Sequence, residues 1–450
     1  MAMHKEIFGS PFPSSVERKT EIAGLLANFS VAEKTGENTA IVGRIIAIRD
    51  QGSMVFLDIT DASGKIQVVL NSEKTDRFSD IKNVLDLGDF VQAEGVPFLT
   101  KRGEKSVAAS QLRLISKCLR PWPSQWYGVS DIETRERQRY LDLVFNENSK
   151  ENLLFRSRLV ASLREILARD GFLEVETPIL QMLPGGALAK PFSTHFNALD
   201  LEVYLRVAPE LYLKRLLVGG FEKIFEIAKN FRNEGVDRDH YPEFTMLELY
   251  WAYKDYQNIM EAVEVWLKEL VRKMGLETIE INNSPLKKFF DKWPRLEYAE
   301  LIKKYSGKNL ADLKAEEIDE VFKKEVRPKI IEPVFVINYP KSISPLAKSK
   351  EDNPEITERF QMVVGATELV NGFSELNDPI DQRARMEEQE KMLHDGNEDV
   401  TRLDEDFLEA LEYGMPPSAG IGIGIDRLAA LLKGARSIRE VISFTNLRPK

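Results

Sequence analysis

Four glutamates stand in otherwise apolar text: Glu210 in APELYLKRL, Glu248 in EFTMLELYWA, Glu368 in ATELVNG and Glu375 in NGFSELN. A buried carboxylate is costly unless a cation meets it, so a cluster of these four calls for Mg2+, an arginine or a cationic substrate. As separate surface groups they need no partner. A second constellation runs from Phe225 to Tyr250, where Arg232 and Glu234 close one strand and Asp237, Arg238, Asp239 and His240 fill a loop before Pro242. Two strands joined by a basic loop can cradle a polyanion such as a triphosphate, arginine being the bidentate donor. The plain alternative is a solvated hairpin with surface ion pairs of little energetic weight. The third is AGIGIGIDR, with glycines at 420, 422 and 424. It lacks the dinucleotide-binding spacing, because Ile425 stands where a third glycine or alanine is needed. Gly64-Lys65 and Gly307-Lys308 lack the Ser or Thr of a phosphate loop. Alternate glycines on a strand let a flat ligand approach the backbone, or let a helix pack closely on it. Asp426 is expected to cap the following helix, with Arg427 in its first turn.

The elements that must position these groups follow from periodicity. In EFTMLELYWA a two-residue period puts Phe244, Met246, Glu248 and Tyr250 on one face and Leu247, Leu249 and Trp251 on the other. Likewise, Asn371, Phe373 and Glu375 share a face of NGFSELN. Before them, Lys150 to Arg169 carries Leu153, Leu154, Leu159, Val160, Leu163, Ile166 and Leu167 at helical spacing, closed by Gly171. Between Thr39 and Ser116, five short β-branched runs broken by turns predict strands, with Asp61 to Gly64 as a tight turn and a helix over Asp76 to Leu87. That order suits a small OB-type barrel, a fold that commonly binds oligonucleotides. LRPWPSQWYGVSDIETRERQRY then reads as a proline-stiffened linker with a charged helical end.

The chain has 450 residues, 43% hydrophobic and 30% charged, which supports two or three cored domains and excludes disorder. Cys118 is the one cysteine, and only His4, His195, His240 and His394 accompany it, so an internal disulfide and a structural zinc cluster are both excluded. A reducing, cytoplasmic setting is expected. MAMHKEIFGSPFPSSVERK lacks the apolar stretch of a signal peptide, and no run is long enough for a membrane span. With 62 Lys+Arg against 72 Asp+Glu the net charge is −10, which opposes nonspecific coating of nucleic acid but allows a local basic face.

Read together, GFLEVETPIL with Pro178, FRNEG…PEFTMLELY and GIGIGIDR resemble, in order, the three signatures of class II aminoacyl-tRNA synthetases. PGGALAKPFSTHFNALDLEVYLRVAPELYLKRL, NGFSELNDPIDQR and RERQRYLDL are similar to class II lysyl-tRNA synthetases, and the likeness runs from about Thr39 to Arg448. The resemblance implies an α+β chain: an OB-fold anticodon-binding domain over 1–118, a linker over 119–149, and a catalytic domain over 150–450 built on an antiparallel sheet flanked by helices, with a short helical insert near 283–333. It implies ATP-dependent activation of L-lysine, transfer to tRNA(Lys), Mg2+, and a homodimer formed through the Pro178 signature. Lysylation of a protein, or a binding role without activation, are the alternatives.

By the same resemblance, Arg232 binds the α-phosphate and the substrate carboxylate, Phe244 stacks on adenine, and Glu234, Arg238, His240 and Arg427 complete the ATP site. Glu210 and Glu375 hold the lysine ε-ammonium beside Tyr250. Gly186, Glu248, Asn371 and Phe373 complete the amino-acid pocket, and Glu368 binds Mg2+. Arg44, Phe56 and Gln67 map to the anticodon face. There are departures: Gln361 replaces a second metal-binding glutamate, Tyr241 stands where asparagine is common, and VISFTNLRP is less apolar than usual.

Overall fold

The computed structural model describes residues 10, 12–123, 130–187, 189–238, 240–281, 284–394 and 403–449. Asp239 of the basic loop, together with His4 and Asn282, lies outside them. The chain divides into two compact units, 1–128 and 129–450.

In the first unit, strands β1 (Thr39–Asp50), β2 (Met54–Thr60), β3 (Lys65–Asn71), β4 (Phe90–Leu99) and β5 (Lys105–Ser116) close a barrel in the order β1-β2-β3-β5-β4. Alternation decides its inside: Val55, Leu57 and Ile59 are buried in the barrel core with Ile41, Val68 and Leu70. The turn between β2 and β3 forms as expected, Asp61 Oδ1 accepting from the Ser63 and Gly64 amides at 2.7 and 2.9 Å. The helix between β3 and β4 is shorter than its apolar spacing suggests, only Phe78–Lys82. Val84 and Leu85 are nonetheless buried, because the chain beyond the helix stays on the barrel.

In the second unit an eight-stranded sheet runs in the order Arg295–Glu297, Val334–Ile337, Arg359–Val364, Thr367–Ser374, Ser418–Gly424, Glu243–Ala252, Lys223–Phe231, Leu173–Glu174. Its outermost pairs are parallel and the rest antiparallel. The helix Glu147–Arg169 packs Phe155, Leu159, Leu163, Ile166 and Leu167 into the main core. Each such burial stabilises the fold by about 1.5–3 kcal/mol. Leu154, expected on that face, is exposed, and Phe155 takes its place.

The charged stretch before this helix is structural. Asp142 is fully buried and accepts from Arg135 at 2.6 Å and Arg139 at 2.8 Å, while Arg139 also donates to the carbonyls of Arg439, Ile442 and Ser443. Between residues 284 and 333 the chain forms the helices Tyr298–Ser306 and Ala315–Val321 over a small core of Tyr298, Ile302, Phe322 and Val326.

Candidate active site

One face of the large sheet gathers most of the residues singled out by type. Register sets Glu226 opposite Glu248 and Asn230 opposite Phe244. It also places Gly422 between Glu248 and Asn371, and Gly420 between Tyr250 and Phe373. Gln361 follows beside Asn371. At Gly420 the absence of a side chain is required sterically. A Cβ added at Gly420 would meet Glu375 Oε1 at 2.3 Å and the Tyr250 ring at 2.6 Å. The strand ends at Ser374, and Glu375 continues its line through an isolated bridge to Ala347.

At one end of this face the carboxylates converge. Glu210 opens the helix Glu210–Val218 and is buried, as are Glu248, Tyr250 and Glu375. Gly186, at φ +87°, lies against Glu210: a Cβ there would approach the Glu210 Cβ to 2.8 Å. The Tyr250 hydroxyl donates to Glu248 Oε2 at 3.3 Å. Burial, reinforced by the charge of Glu210, pushes the Glu248 carboxyl well above the usual range, and burial does the same to the Tyr250 phenol.

The cation that meets Glu210 and Glu375 is Lys214, one helical turn beyond Glu210 and within contact of both. Among the arginine, metal and substrate cations that the carboxylates suggest, a lysine of the chain itself is missing, although its i+4 spacing from Glu210 is readable. A neighbouring carboxylate, Glu226, is neutralised by Arg206 at 2.6 Å, with both side chains buried. Breaking such a pair leaves an unmatched buried charge, so Arg206→Met is expected to cost about 3–5 kcal/mol in chemical denaturation.

At the other end stand the basic groups. Arg232 follows directly on the strand Lys223–Phe231, its guanidinium 5.0 Å over the Phe244 ring, and its buried Nε has no hydrogen-bond partner in the protein. Burial, together with the charge of Arg427, lowers its pKa against the opposing pull of Glu234. Arg427 reaches His240 Nε2 at 3.0 Å, and His240 Nδ1 contacts Asp237 at 2.8 Å. Glu368 is half-buried on the strand Thr367–Ser374, its charge felt by Arg232.

Asp426 does not cap its helix. Gly424 holds the cap position, and the Asp426 carboxylate instead accepts from the Thr245 amide at 2.7 Å and from Arg156 at 2.9 Å. Once the helix starts at Ile425, Asp426 points back at the strand instead of along the helix axis.

The departures noted in the sequence find partners. Gln361 Oε1 accepts from the Tyr339 hydroxyl at 2.8 Å, and Asn371 Oδ1 accepts from Arg359 at 3.0 Å. The buried Tyr241 hydroxyl accepts from the amide of Asn446, in the altered C-terminal segment. Arg238 is tied to the turn just before that segment, its carbonyl accepting from Ile438 N at 3.2 Å and Ser437 Oγ at 3.1 Å.

In the barrel, Phe56 is half-buried and outside the core cluster, on the outer side of β2. Gln67 is buried, its amide oxygen accepting from Ser106 at 3.0 Å. Arg44 lies between aromatic rings, 4.3 Å from Phe90 and 5.2 Å from Trp122, and burial lowers its pKa. Asp58 holds Arg49 at 3.1 Å and Lys65 at 3.2 Å, two exposed cations that the sequence reading passed over.

Comparison with known proteins agrees with this architecture. Residues 131–448 match the family of class II tRNA synthetases (D, K and N), and residues 39–115 match the OB-fold nucleic acid binding domain. The chain belongs to the class II tRNA synthetases. The relatives that narrow this are lysine–tRNA ligases. Those of Pelotomaculum thermopropionicum (44% identical, covering 98% of this chain and 92% of the relative) and Moorella thermoacetica (45%, covering 93% and 90%) are two; a third, from Oceanobacillus iheyensis, is 43% identical over 100% of this chain and 97% of its own length.

Proposed function

We propose that this protein activates L-lysine with ATP and transfers the lysyl group to the terminal ribose of tRNA(Lys). The observation that carries the assignment is a pair of buried, unpartnered atoms on one sheet face: Arg232 Nε and Glu375 Oε1. One suits a carboxylate, the other an ammonium, and lysine bears both.

The lysine carboxylate attacks the α-phosphorus in line, the bond to the bridging oxygen breaks, and pyrophosphate leaves. The ribose hydroxyl then attacks the carbonyl of lysyl-adenylate, releasing AMP. Since the substrates supply the nucleophiles, the protein contributes positioning and charge. Arg232 draws the carboxylate and the α-phosphate together, and Phe244 stacks on adenine. Arg427, with His240, faces the outer phosphates, with Glu234 and Arg238 beside them. Glu210 and Glu375 hold the ε-ammonium beside Tyr250, and Gly186, Glu248, Asn371 and Phe373 shape the rest of the pocket.

Among the described residues no cluster of three or more His, Cys, Asp or Glu could hold a metal. The residues fit Mg2+ carried chiefly by substrate phosphates and one carboxylate, a common mode for this ion. Glu368 would be that ligand, with Gln361 contributing at most an oxygen that already accepts from Tyr339. When bound, Mg2+ neutralises phosphate charge.

Exposed Leu173, Ile179, Leu180, Met182, Leu199 and Leu201 support a homodimer through the segment around Pro178. Among the described residues no helix is long and apolar enough to cross a membrane, and a cytoplasmic location is part of the proposal. On the barrel, Phe56 stacks on an anticodon base, with Arg44 and Gln67 on the same face. Phe56→Ala is expected to weaken tRNA binding by about 1–3 kcal/mol, with lysine activation unchanged. Filter binding and exchange assays separate the two effects.

ATP–pyrophosphate exchange across the amino acids tests the whole reading. Exchange that depends on lysine is expected; exchange with aspartate or asparagine and none with lysine rejects the specificity.

A further inference from the structure

Glu210 and Glu375 are not left to the substrate alone. Lys214 is completely buried, with Nζ 2.7 Å from Glu210 Oε1, 2.5 Å from Glu375 Oε2 and 5.5 Å from the centre of the Phe373 ring. With both carboxylates ionised, two carboxylates and one ammonium leave a single negative charge. The oxygen left to offer it to a substrate cation is Glu375 Oε1, buried, unpartnered and lying against Gly420 beside the Tyr250 ring.

We propose that Lys214 is a positioning residue that sets specificity for a singly charged side chain: it neutralises one of the two carboxylates and holds Glu375 so that Oε1 faces the substrate ammonium. This rests on the reading of Glu210 and Glu375 as the ammonium pocket. An unopposed carboxylate pair would instead keep a proton or draw the substrate ammonium into the place of Lys214, away from the reacting phosphate. The ionisable groups facing the triad are Glu210 and Lys214 on their helix, Glu248 and Tyr250 on the strand Glu243–Ala252, and Glu375 itself; Arg206 is committed to Glu226.

Titration supports the geometry. Burial alone would lower the Lys214 ammonium, but the charges of Glu210 and Glu375 raise it above the ordinary lysine value. Burial pushes the Glu375 carboxyl up to about 8, Lys214 opposing the rise and Glu210 adding to it. A carboxyl with a raised pKa is protonated below that value and must release its proton to receive an ammonium. The KM for lysine therefore falls as pH rises toward about 8 and levels above it. Without Lys214 the opposing charge is gone and the levelling point moves upward.

The test is lysine-dependent ATP–pyrophosphate exchange by the full chain between pH 6.5 and 9. For Lys214→Met the expected result is a lysine KM at least tenfold higher at pH 7.5, with its levelling point displaced upward by about one pH unit or more. A merely structural role would lower the active fraction and kcat without moving that point. A variant with the unaltered KM and levelling point overturns the role of Lys214, provided Glu375→Gln raises the KM; if Glu375→Gln leaves it unchanged, the ammonium-pocket reading itself falls. Should Lys214→Met fail to fold, Lys214→Gln, which keeps a hydrogen-bond donor without the charge, decides by the same profile: a raised lysine KM with an upward-displaced levelling point supports the role, and an unaltered profile overturns it.

Discussion

Arg232→Ala is expected to lower kcat/KM for lysine-dependent exchange by roughly 10³-fold or more while the protein stays folded. Loss of one preorganised donor commonly costs about 10²–10³ in rate, and this guanidinium is proposed to serve two substrates at once. Its surroundings already commit it to a ligand: the Nε is buried without a protein partner, and Glu234 and Glu368 supply negative charge that favours a cation there. The fold should survive, since Arg232 lies just beyond its strand and the pairing from Lys223 to Phe231 does not use its side chain. Arg232→Lys keeps the charge but loses the planar fork, so activity between the two extremes is expected. Near-normal exchange by the alanine variant, with an unchanged thermal melt, would remove Arg232 from the reaction.

Glu375→Gln should act on the other end of the substrate. Removing one partner of a buried, hydrogen-bonded charge pair costs about 2–5 kcal/mol, or roughly 30- to 4,000-fold in affinity. The loss should fall mainly on the lysine KM, because the ammonium is far from the reacting bond and is held alike in ground and transition states. Lys214 keeps Glu210 at 2.7 Å, so the variant retains a neutral pair and should fold. Initial rates across lysine concentrations separate the outcomes: a lowered kcat with an unchanged lysine KM would reassign Glu375 away from the ammonium.

Much of the site was readable because a strand has a period of two. Phe244, Met246, Glu248 and Tyr250 fall on one face by counting alone, as do Asn371 and Phe373, and the sheet register agrees. The glycines at 420, 422 and 424 could be recognised as removing side chains from a strand, but the reason stayed open. The structure decides between ligand approach and close packing at Gly420 by placing Tyr250 and Glu375 where a Cβ would stand. Helical counting was less secure. Leu154 and Phe155 are adjacent and both apolar, and only the elements packed against the helix determine which one is buried.

By itself the sequence determined the two kinds of domain, the strands with their inward and outward faces, and the family, because these depend on local periodicity and on words of consecutive residues. Which charges meet was decided only by the tertiary structure. Lys214 lies four residues from Glu210 on one helix, yet its second carboxylate, Glu375, arrives from the end of a sheet strand. Tyr241 and Asn446, two departures from the family pattern, are hydrogen-bonded partners 205 residues apart. Asp426, expected to cap a helix, serves a strand and a distant arginine. In each case a buried polar group must find a partner or lose several kcal/mol. Sheet order, set by the packing of many apolar side chains, determines which partner is within reach.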